Sequence, residues 1–304
     1  MARGVFDGQT TLSKLVVAYV VLTYAGTWAC WGLSALLSYA VVPALGGLGA
    51  GGLSGLVHAC SGALRLLGTL CPALAAYALF PLVRSCGLVD VGAGRAETEL
   101  SDKRAGFWAF AFGTRASLGG WLLFAALVVW RWAMFHSALG FPETPTAALT
   151  SFATSLPALL LGGGFEEIGW RGVLQPALVR LLLGGAHDGS GRRVVAEVIA
   201  PLFVGVIWAC WHLPLFAMPD AYQHGIPFLL FVGIAVALSY SLGALRSLTG
   251  GSLACVLAHA WYNAMLVAPL VPSAAFGALL AAEALACAAV LAFRALRGPT
   301  GGRC

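Results

Sequence analysis

Three short clusters along the chain combine carboxylate, imidazole and carboxamide side chains inside or beside long apolar stretches. Their polar members are Glu166, Glu167, Arg171, His212, His259 and Asn263. Such groups cost several kcal/mol in hydrocarbon unless they are paired or line a cavity. Asn263 is the only asparagine in the 304 residues, and it follows His259 by four positions. We expect a chain this poor in polar side chains to use the ones it keeps near the bilayer.

Residues four positions apart share one face of a helix, so the spacing within each cluster predicts which side chains meet. Glu167 and Arg171 have the acid-first order that favours a salt bridge. Glu166 points to another face, so we predict a structural Glu167–Arg171 pair that leaves Glu166 free for chemistry. His259 and Asn263 are also four apart and are predicted to share a face.

Two imidazoles, a carboxylate and a carboxamide that converge in a helix bundle are sufficient for hydrolysis. A carboxylate in a low dielectric has a raised proton affinity and can take a proton from water. Imidazole and carboxamide donors can stabilise an oxyanion. In the alternative, Glu166, His212 and His259 ligate zinc and leave a fourth position for water. The residues alone leave both mechanisms open, with zinc or with no cofactor.

Non-catalytic interpretations of these residues also stay open. An intramembrane His is often only a hydrogen-bonding partner between helices, and a Glu–Arg pair at this spacing is more often structural than catalytic. Arg131, Glu197 and Glu283 place further charges in or near apolar stretches without an evident motif. Cys210 precedes His212 by two positions and therefore faces differently, which argues against a thiol nucleophile. The prediction of a site depends on the three clusters together.

The composition predicts that these clusters lie on transmembrane helices. Hydrophobic residues make up 60% of the chain and charged residues 10%, whereas soluble domains are about a quarter charged. We therefore expect an all-α, polytopic transmembrane helix bundle whose main partner is the lipid bilayer. The net charge of +5 is spread along the chain, so no nucleic-acid partner is expected.

About eight apolar stretches approach the length needed to cross the hydrocarbon core. The candidate spans are 15–41, 66–83, 118–136, 147–165, 194–217, 226–245, 252–271 and 274–293. Basic residues concentrate after every second span, so the positive-inside rule places both termini in the cytoplasm. The glycine-rich stretch 46–55 is expected to be an outer loop or a broken half-helix, and an interfacial amphipathic helix is expected within 92–115.

The clusters resemble the motifs of the CPBP family of intramembrane proteases, which includes type II CAAX prenyl endopeptidases and abortive-infection-like membrane proteins. The family pattern combines Glu-Glu-x-x-x-Arg, aromatic-x-x-x-His and His-x-x-x-Asn, which stand here at 166–171, 208–212 and 259–263. Trp208 takes the place of the family's Phe. The resemblance covers roughly 147–270, and outside that range it extends only to hydropathy.

The resemblance implies a role for each motif residue. It implies water activation by Glu166 and His212, an oxyanion site at His259 and Asn263, and a supporting role for Glu167 and Arg171. Members of the family are commonly labelled metalloproteases, although the need for a metal is disputed.

We therefore predict an intramembrane endopeptidase of the CAAX-protease type that cleaves a lipidated or membrane-associated peptide or protein, including a prenylated one. The alternative is a non-catalytic bacteriocin-immunity or scaffold protein of the same fold. We expect N-terminal spans with a cytoplasmic amphipathic linker in 1–146, a catalytic core in 147–271, and a last span with a short cytoplasmic tail in 272–304. A multi-pass protein of this kind would lie in the cell membrane of a bacterium or the endoplasmic reticulum of a eukaryote.

Overall fold

The computed structural model describes residues 2–88, 103–113, 117–139, 144–184, 190–265 and 274–297. Regular secondary structure in these ranges is entirely helical. The first helices are α1 (Ala2–Leu36), α2 (Val42–Gly47), α3 (Gly51–Ala78), α4 (Phe80–Ser85), α5 (Lys103–Phe112) and α6 (Leu118–Leu139). The later ones are α7 (Pro145–Leu159), α8 (Glu166–Gly169), α9 (Gln175–Leu183), α10 (Ser190–Trp211), α11 (Phe228–Thr249), α12 (Leu253–Met265) and α13 (Ala274–Arg297). The predicted all-α fold is confirmed for this part of the chain.

Five helical segments are long and apolar enough to cross a membrane. They are Gly8–Gly47, Gly51–Ala78, Ser190–Ala217, Phe228–Thr249 and Phe276–Arg297. Two shorter apolar helices, Leu118–Met134 and Leu149–Gly164, coincide with the third and fourth predicted spans. The total of eight spans and the cytoplasmic position of both termini stay predictions.

The second predicted span and the stretch before it differ from the structure. Hydropathy places the span at 66–83, but α3 already begins at Gly51 and ends at Ala78. The glycine-rich stretch is therefore a break between two helices, with Gly49 at a φ of 72° in the turn, a conformation that glycine adopts without strain. Of the predicted amphipathic segment, only α5 and Gly113 lie within the described residues.

Helices α1 and α3 pack closely through small residues. A Cβ atom at Gly68 would lie 2.5 Å from the ring of Trp31, and one at Gly26 would lie 3.0 Å from the sulfur of Cys71. The Thr27 hydroxyl donates to the Gly68 carbonyl at 2.8 Å. Helix association in lipid depends on such close packing and interhelical hydrogen bonds, so these contacts hold α1 and α3 together.

Arg131 and Glu283 form a buried ion pair between α6 and α13. Nε of Arg131 lies 2.7 Å from Oε2 of Glu283, and its Nη2 donates to Oε1 at 2.8 Å. Ser241 on α11 donates to the same carboxylate, and the guanidinium stacks on the ring of Tyr262 on α12, 4.5 Å from its centroid. Arg131 and Glu283, which belong to no sequence motif, thus pair with each other, and their contacts join α6, α11, α12 and α13.

Candidate active site

The first cluster begins directly after a break in a helix. The π-helical turn Leu160–Gly164 follows α7, and Gly162 and Gly163 leave helical backbone angles within it. Helix α8 restarts at Glu166 and contains both carboxylates in its first turn. Both side chains are buried, with exposed fractions of 4% for Glu166 and 0% for Glu167. The break therefore places two carboxylates inside the bundle instead of on its surface.

Glu167 joins two basic side chains. One of its oxygens lies 2.9 Å from Nη1 of Arg171, so the ion pair that the spacing predicts is present. The other oxygen accepts a hydrogen bond from Nδ1 of His259 at 2.8 Å. This second contact joins α8 to α12 and could not be predicted from spacing, because the residues are 92 positions apart.

Glu166 has a different partner. Its Oε2 accepts a hydrogen bond of 2.8 Å from Nε1 of Trp208 on α10. Trp208 is itself buried. The two adjacent glutamates thus face separate surroundings: Glu167 has two basic partners, and Glu166 has an indole N–H.

His212 lies just beyond the end of α10, at the start of the 3₁₀ turn Leu213–Ala217. Its Nδ1 is 2.9 Å from the carbonyl oxygen of Trp208. A carbonyl only accepts hydrogen bonds, so Nδ1 carries the proton and the neutral ring keeps Nε2 as an acceptor. The rings of Trp211 and Phe231 pack edge-on against the imidazole, at centroid distances of 4.6 and 5.0 Å. His212 is thereby fixed in orientation, with Nε2 left as a hydrogen-bond acceptor.

His259 and Asn263 lie on α12, facing the glycine break. Asn263 donates from Nδ2 to the carbonyl of Gly162 at 3.3 Å. A Cβ atom at Gly163 would lie 2.1 Å from Nδ2 of Asn263 and 3.3 Å from Nε2 of His259. Only glycine leaves room for these two side chains to approach the backbone so closely.

A cavity of about 140 Å³ brings the predicted catalytic residues together. Its polar lining includes Glu166, His212, His259 and Asn263. Much of the remaining lining is apolar and consists of Leu215, Ile226, Phe231, Ile234, Ala235 and Leu238. Glu167 and Arg171 are buried behind this lining and do not reach it. Their position agrees with a supporting role, which stays a prediction.

The zinc alternative requires Glu166, His212 and His259 to converge on one ion. In the described ranges, no group of three or more His, Cys, Asp or Glu side chains is arranged to hold a metal. Glu166 and His212 bond to different atoms of Trp208, and the bond to His212 engages only Nδ1. The three residues share a cavity without forming a ligand set, so no step below uses a metal. Cys210 does not line the cavity.

The loop between α10 and α11 covers the cavity and is tied to the N-terminal helices. Tyr222 and Gln223 in this loop line the cavity. Asp220 accepts a hydrogen bond of 2.9 Å from Arg65 on α3 and another from Tyr39. Partial burial raises the pKa of Asp220, but the hydrogen bonds from Arg65 and Tyr39 outweigh it and lower the pKa below its usual value. The sequence has no motif that identifies this contact.

Residues 148–265 match the family described as Type II CAAX prenyl endopeptidase Rce1-like. The predicted family resemblance is confirmed over this segment. It contains all three motif clusters and the cavity-lining residues from Gly162 to Asn263, whereas Trp31 on α1 and Thr69 on α3 line the cavity from outside it. Because the matched family is integral to membranes and five helices can cross one, the chain is a multi-pass membrane protein.

The curated protein CAAX prenyl protease 2 of Methanococcus maripaludis is 35% identical to the chain over 77 residues. The matched part is 25% of this chain and 24% of the relative, so the similarity spans about a quarter of the relative's length. No solved structure matches the chain. The division into 1–146, 147–271 and 272–304 stays a prediction, although the family match falls inside the second range.

Proposed function

We propose that the chain is an intramembrane endopeptidase of the CAAX-protease type, in which Glu166 and His212 activate the attacking water. The observation that supports this proposal is the single cavity lined by Glu166, His212, His259 and Asn263. These residues come from three helical segments, yet they meet around a space large enough for a peptide bond and a water molecule.

Water activation needs a group that can accept a proton. Glu166 lines the cavity while its Oε2 is held by Trp208, and His212 presents Nε2 as an acceptor because Nδ1 already donates. A carboxylate and a neutral imidazole on one water can share the proton that leaves when the water attacks the carbonyl carbon. The proton then passes to the amine that leaves.

The tetrahedral intermediate needs donors for its oxyanion. One N–H of the Asn263 amide donates to the carbonyl of Gly162 over a long distance of 3.3 Å. Its second N–H can donate to the oxyanion. Nδ1 of His259 already donates to Glu167. His259 can therefore donate to an oxyanion only from a protonated Nε2, with both ring nitrogens carrying hydrogen.

The apolar part of the cavity suits a substrate with a hydrocarbon portion. The relative from Methanococcus maripaludis is named a prenyl protease, which directs the first test to prenylated CAAX peptides. We propose a lipidated or membrane-associated peptide as the substrate class. A lipid chain held by these apolar residues would bring the scissile bond to the polar end.

The test is cleavage of a farnesylated CAAX reporter peptide by purified protein in liposomes. Glu166→Gln and His212→Ala should each abolish cleavage while the protein remains folded. Glu197→Gln is the matched control, because Glu197 is a half-buried carboxylate of α10 that does not line the cavity. Full activity in Glu166→Gln would refute the mechanism. A cellular function that survives loss of both Glu166 and His259 would favour the immunity or scaffold alternative.

The same assay tests whether cleavage requires a metal ion. Activity that persists after chelation and dialysis, with metal content far below one ion per protein, supports the carboxylate mechanism. Loss of activity that zinc restores would replace it with metal-assisted hydrolysis.

A further inference from the structure

Trp208 forms hydrogen bonds to two residues of the candidate site in addition to its packing contacts. It occupies the position at which the family pattern has Phe, a side chain with the same kind of ring but no hydrogen-bond donor. Its indole N–H donates to Oε2 of Glu166 at 2.8 Å, and its backbone carbonyl accepts from Nδ1 of His212 at 2.9 Å. One residue thus holds both members of the proposed water-activating pair.

The ring of Trp208 also contacts the rest of the site. It packs edge-on against His259, with centroids 5.2 Å apart and an interplanar angle of 83°. The guanidinium carbon of Arg171 lies 5.5 Å from the ring centroid. The side chain is buried, and a hydrogen bond to a carboxylate in such low-dielectric surroundings is stronger than the same bond in bulk water. A Phe at this position would keep an aromatic ring but lose the hydrogen bond and the five-membered half of the indole, so the control must lose the same volume elsewhere.

We propose that Trp208 is a positioning residue that orients the Glu166 carboxylate through its indole N–H and favours the ionised form that accepts a proton from water. This inference rests on the proposed function of Glu166. A hydrogen bond donated to a carboxylate stabilises the charged form relative to the protonated one. It also fixes one oxygen, so that the carboxylate cannot rotate away from the water.

The proposal predicts a shift of the pH–activity profile that a packing role would not produce. Without the N–H donor, Glu166 holds its proton more tightly, so the acid limb of the profile moves to higher pH. Charge-assisted hydrogen bonds of this type correspond to a shift of about one pH unit. The variant should lose about tenfold in kcat/KM on the acid limb and much less on the plateau.

The experiment compares Trp208→Phe with wild type in the liposome cleavage assay across the pH range. Trp261→Phe is the matched control, because Trp261 is a buried indole of α12 that packs on Phe152 and does not line the cavity. We expect the acid limb to move only in Trp208→Phe. Superimposable acid limbs for Trp208→Phe and wild type would overturn the inference.

A second measurement does not depend on cleavage or on the stability of Trp208→Phe. The ultraviolet resonance Raman band that reports indole hydrogen bonding should shift in wild type when Glu166 ionises, and Glu166→Gln should lack this shift. Its absence from wild type would also overturn the inference. If Glu166→Gln cleaves like wild type, the proposed function fails. If Glu166→Gln is inactive and neither predicted shift appears, only the role of Trp208 fails.

Discussion

The adjacent glutamates allow one chemical change to be made in two environments. Glu167→Gln keeps the shape of the side chain and removes its charge. The carboxylate lies 2.9 Å from Arg171 and 2.8 Å from His259, and the side chains of Glu167 and Arg171 are fully buried. Nε and Nη2 of Arg171 have no hydrogen-bond acceptor among the described residues, so within that part of the chain the guanidinium hydrogen-bonds to the Glu167 carboxylate alone.

The expected cost follows from this burial. Removing one partner of a buried ion pair leaves an uncompensated charge and typically costs about 3–5 kcal/mol. Glu166→Gln should behave differently, because an amide oxygen can still accept the hydrogen bond from Trp208 and no cation loses its partner. An amide is also less costly to bury than a carboxylate. We expect the free energy of unfolding of Glu166→Gln to lie within about 1 kcal/mol of the wild-type value, while its activity is lost.

The assay is thermal unfolding of both variants in one detergent, together with peptide cleavage in liposomes. Glu167→Gln should have a Tm clearly below that of wild type, by at least about 6 °C if roughly 2 °C corresponds to 1 kcal/mol. Glu166→Gln should have a Tm near that of wild type with no cleavage. Equal Tm values for the two variants, or a less stable Glu166→Gln, would refute the division between a structural and a chemical carboxylate.

Three further changes test other parts of the structure. Gly163→Ala places a Cβ atom 2.1 Å from Nδ2 of Asn263, so the amide must move, and kcat should fall on the order of 100-fold. Measuring both the cleavage rate and the Tm of this variant separates the loss of catalysis from unfolding. Glu283→Ala should destabilise the protein by about 3–5 kcal/mol, whereas Arg131→Met combined with Glu283→Leu should recover most of that loss; detergent unfolding of the single and double variants measures both. Asp220→Asn should cost less than about 1 kcal/mol, because the side chain of Asp220 is 53% exposed. The lowered pKa of Asp220 means that its contribution is fully present above about pH 4, the range of an unfolded aspartate, and is lost as the pH falls through the folded pKa. The difference in Tm between wild type and Asp220→Asn should therefore shrink toward acid pH and stay constant above pH 5.

Local spacing was sufficient to predict the contacts that lie within one turn of helix. Glu167 and Arg171 meet because residues four apart share a face, and this holds although Arg171 lies in the π-helical turn Trp170–Leu174. The all-helical fold follows in the same way from apolar length and composition. The π-helical turn Leu160–Gly164 has no comparable signal, since Gly163 and Gly164 there pack against Asn263 and Val256 of α12.

Contacts between helices could not be predicted, because they depend on how each helix is rotated about its axis. Trp208 and Glu166 are 42 positions apart, and Arg131 and Glu283 are 152 apart. Hydropathy places all four in or near apolar stretches and says nothing about which faces meet. An isolated charge in a predicted span is nevertheless a usable signal, because it must find a partner in lipid. Searching for the opposite charge would have proposed Glu197 or Glu283 as the partner of Arg131, and the structure has Glu283 there.

The partners of the two glutamates suit the different roles that we propose for them. A carboxylate between a guanidinium and an imidazole, as at Glu167, is stabilised as an anion whatever happens to the substrate. A carboxylate whose neighbour is a neutral indole can gain and lose a proton without leaving a buried cation unpaired, as at Glu166. In the proposed mechanism the two carboxylates, which lie on one turn after a glycine break, divide the work. Glu167 stays charged and holds α12 through His259, and Glu166 accepts the proton in the cavity. If Glu166 had the partners of Glu167, it would be too well stabilised as an anion to act as a base.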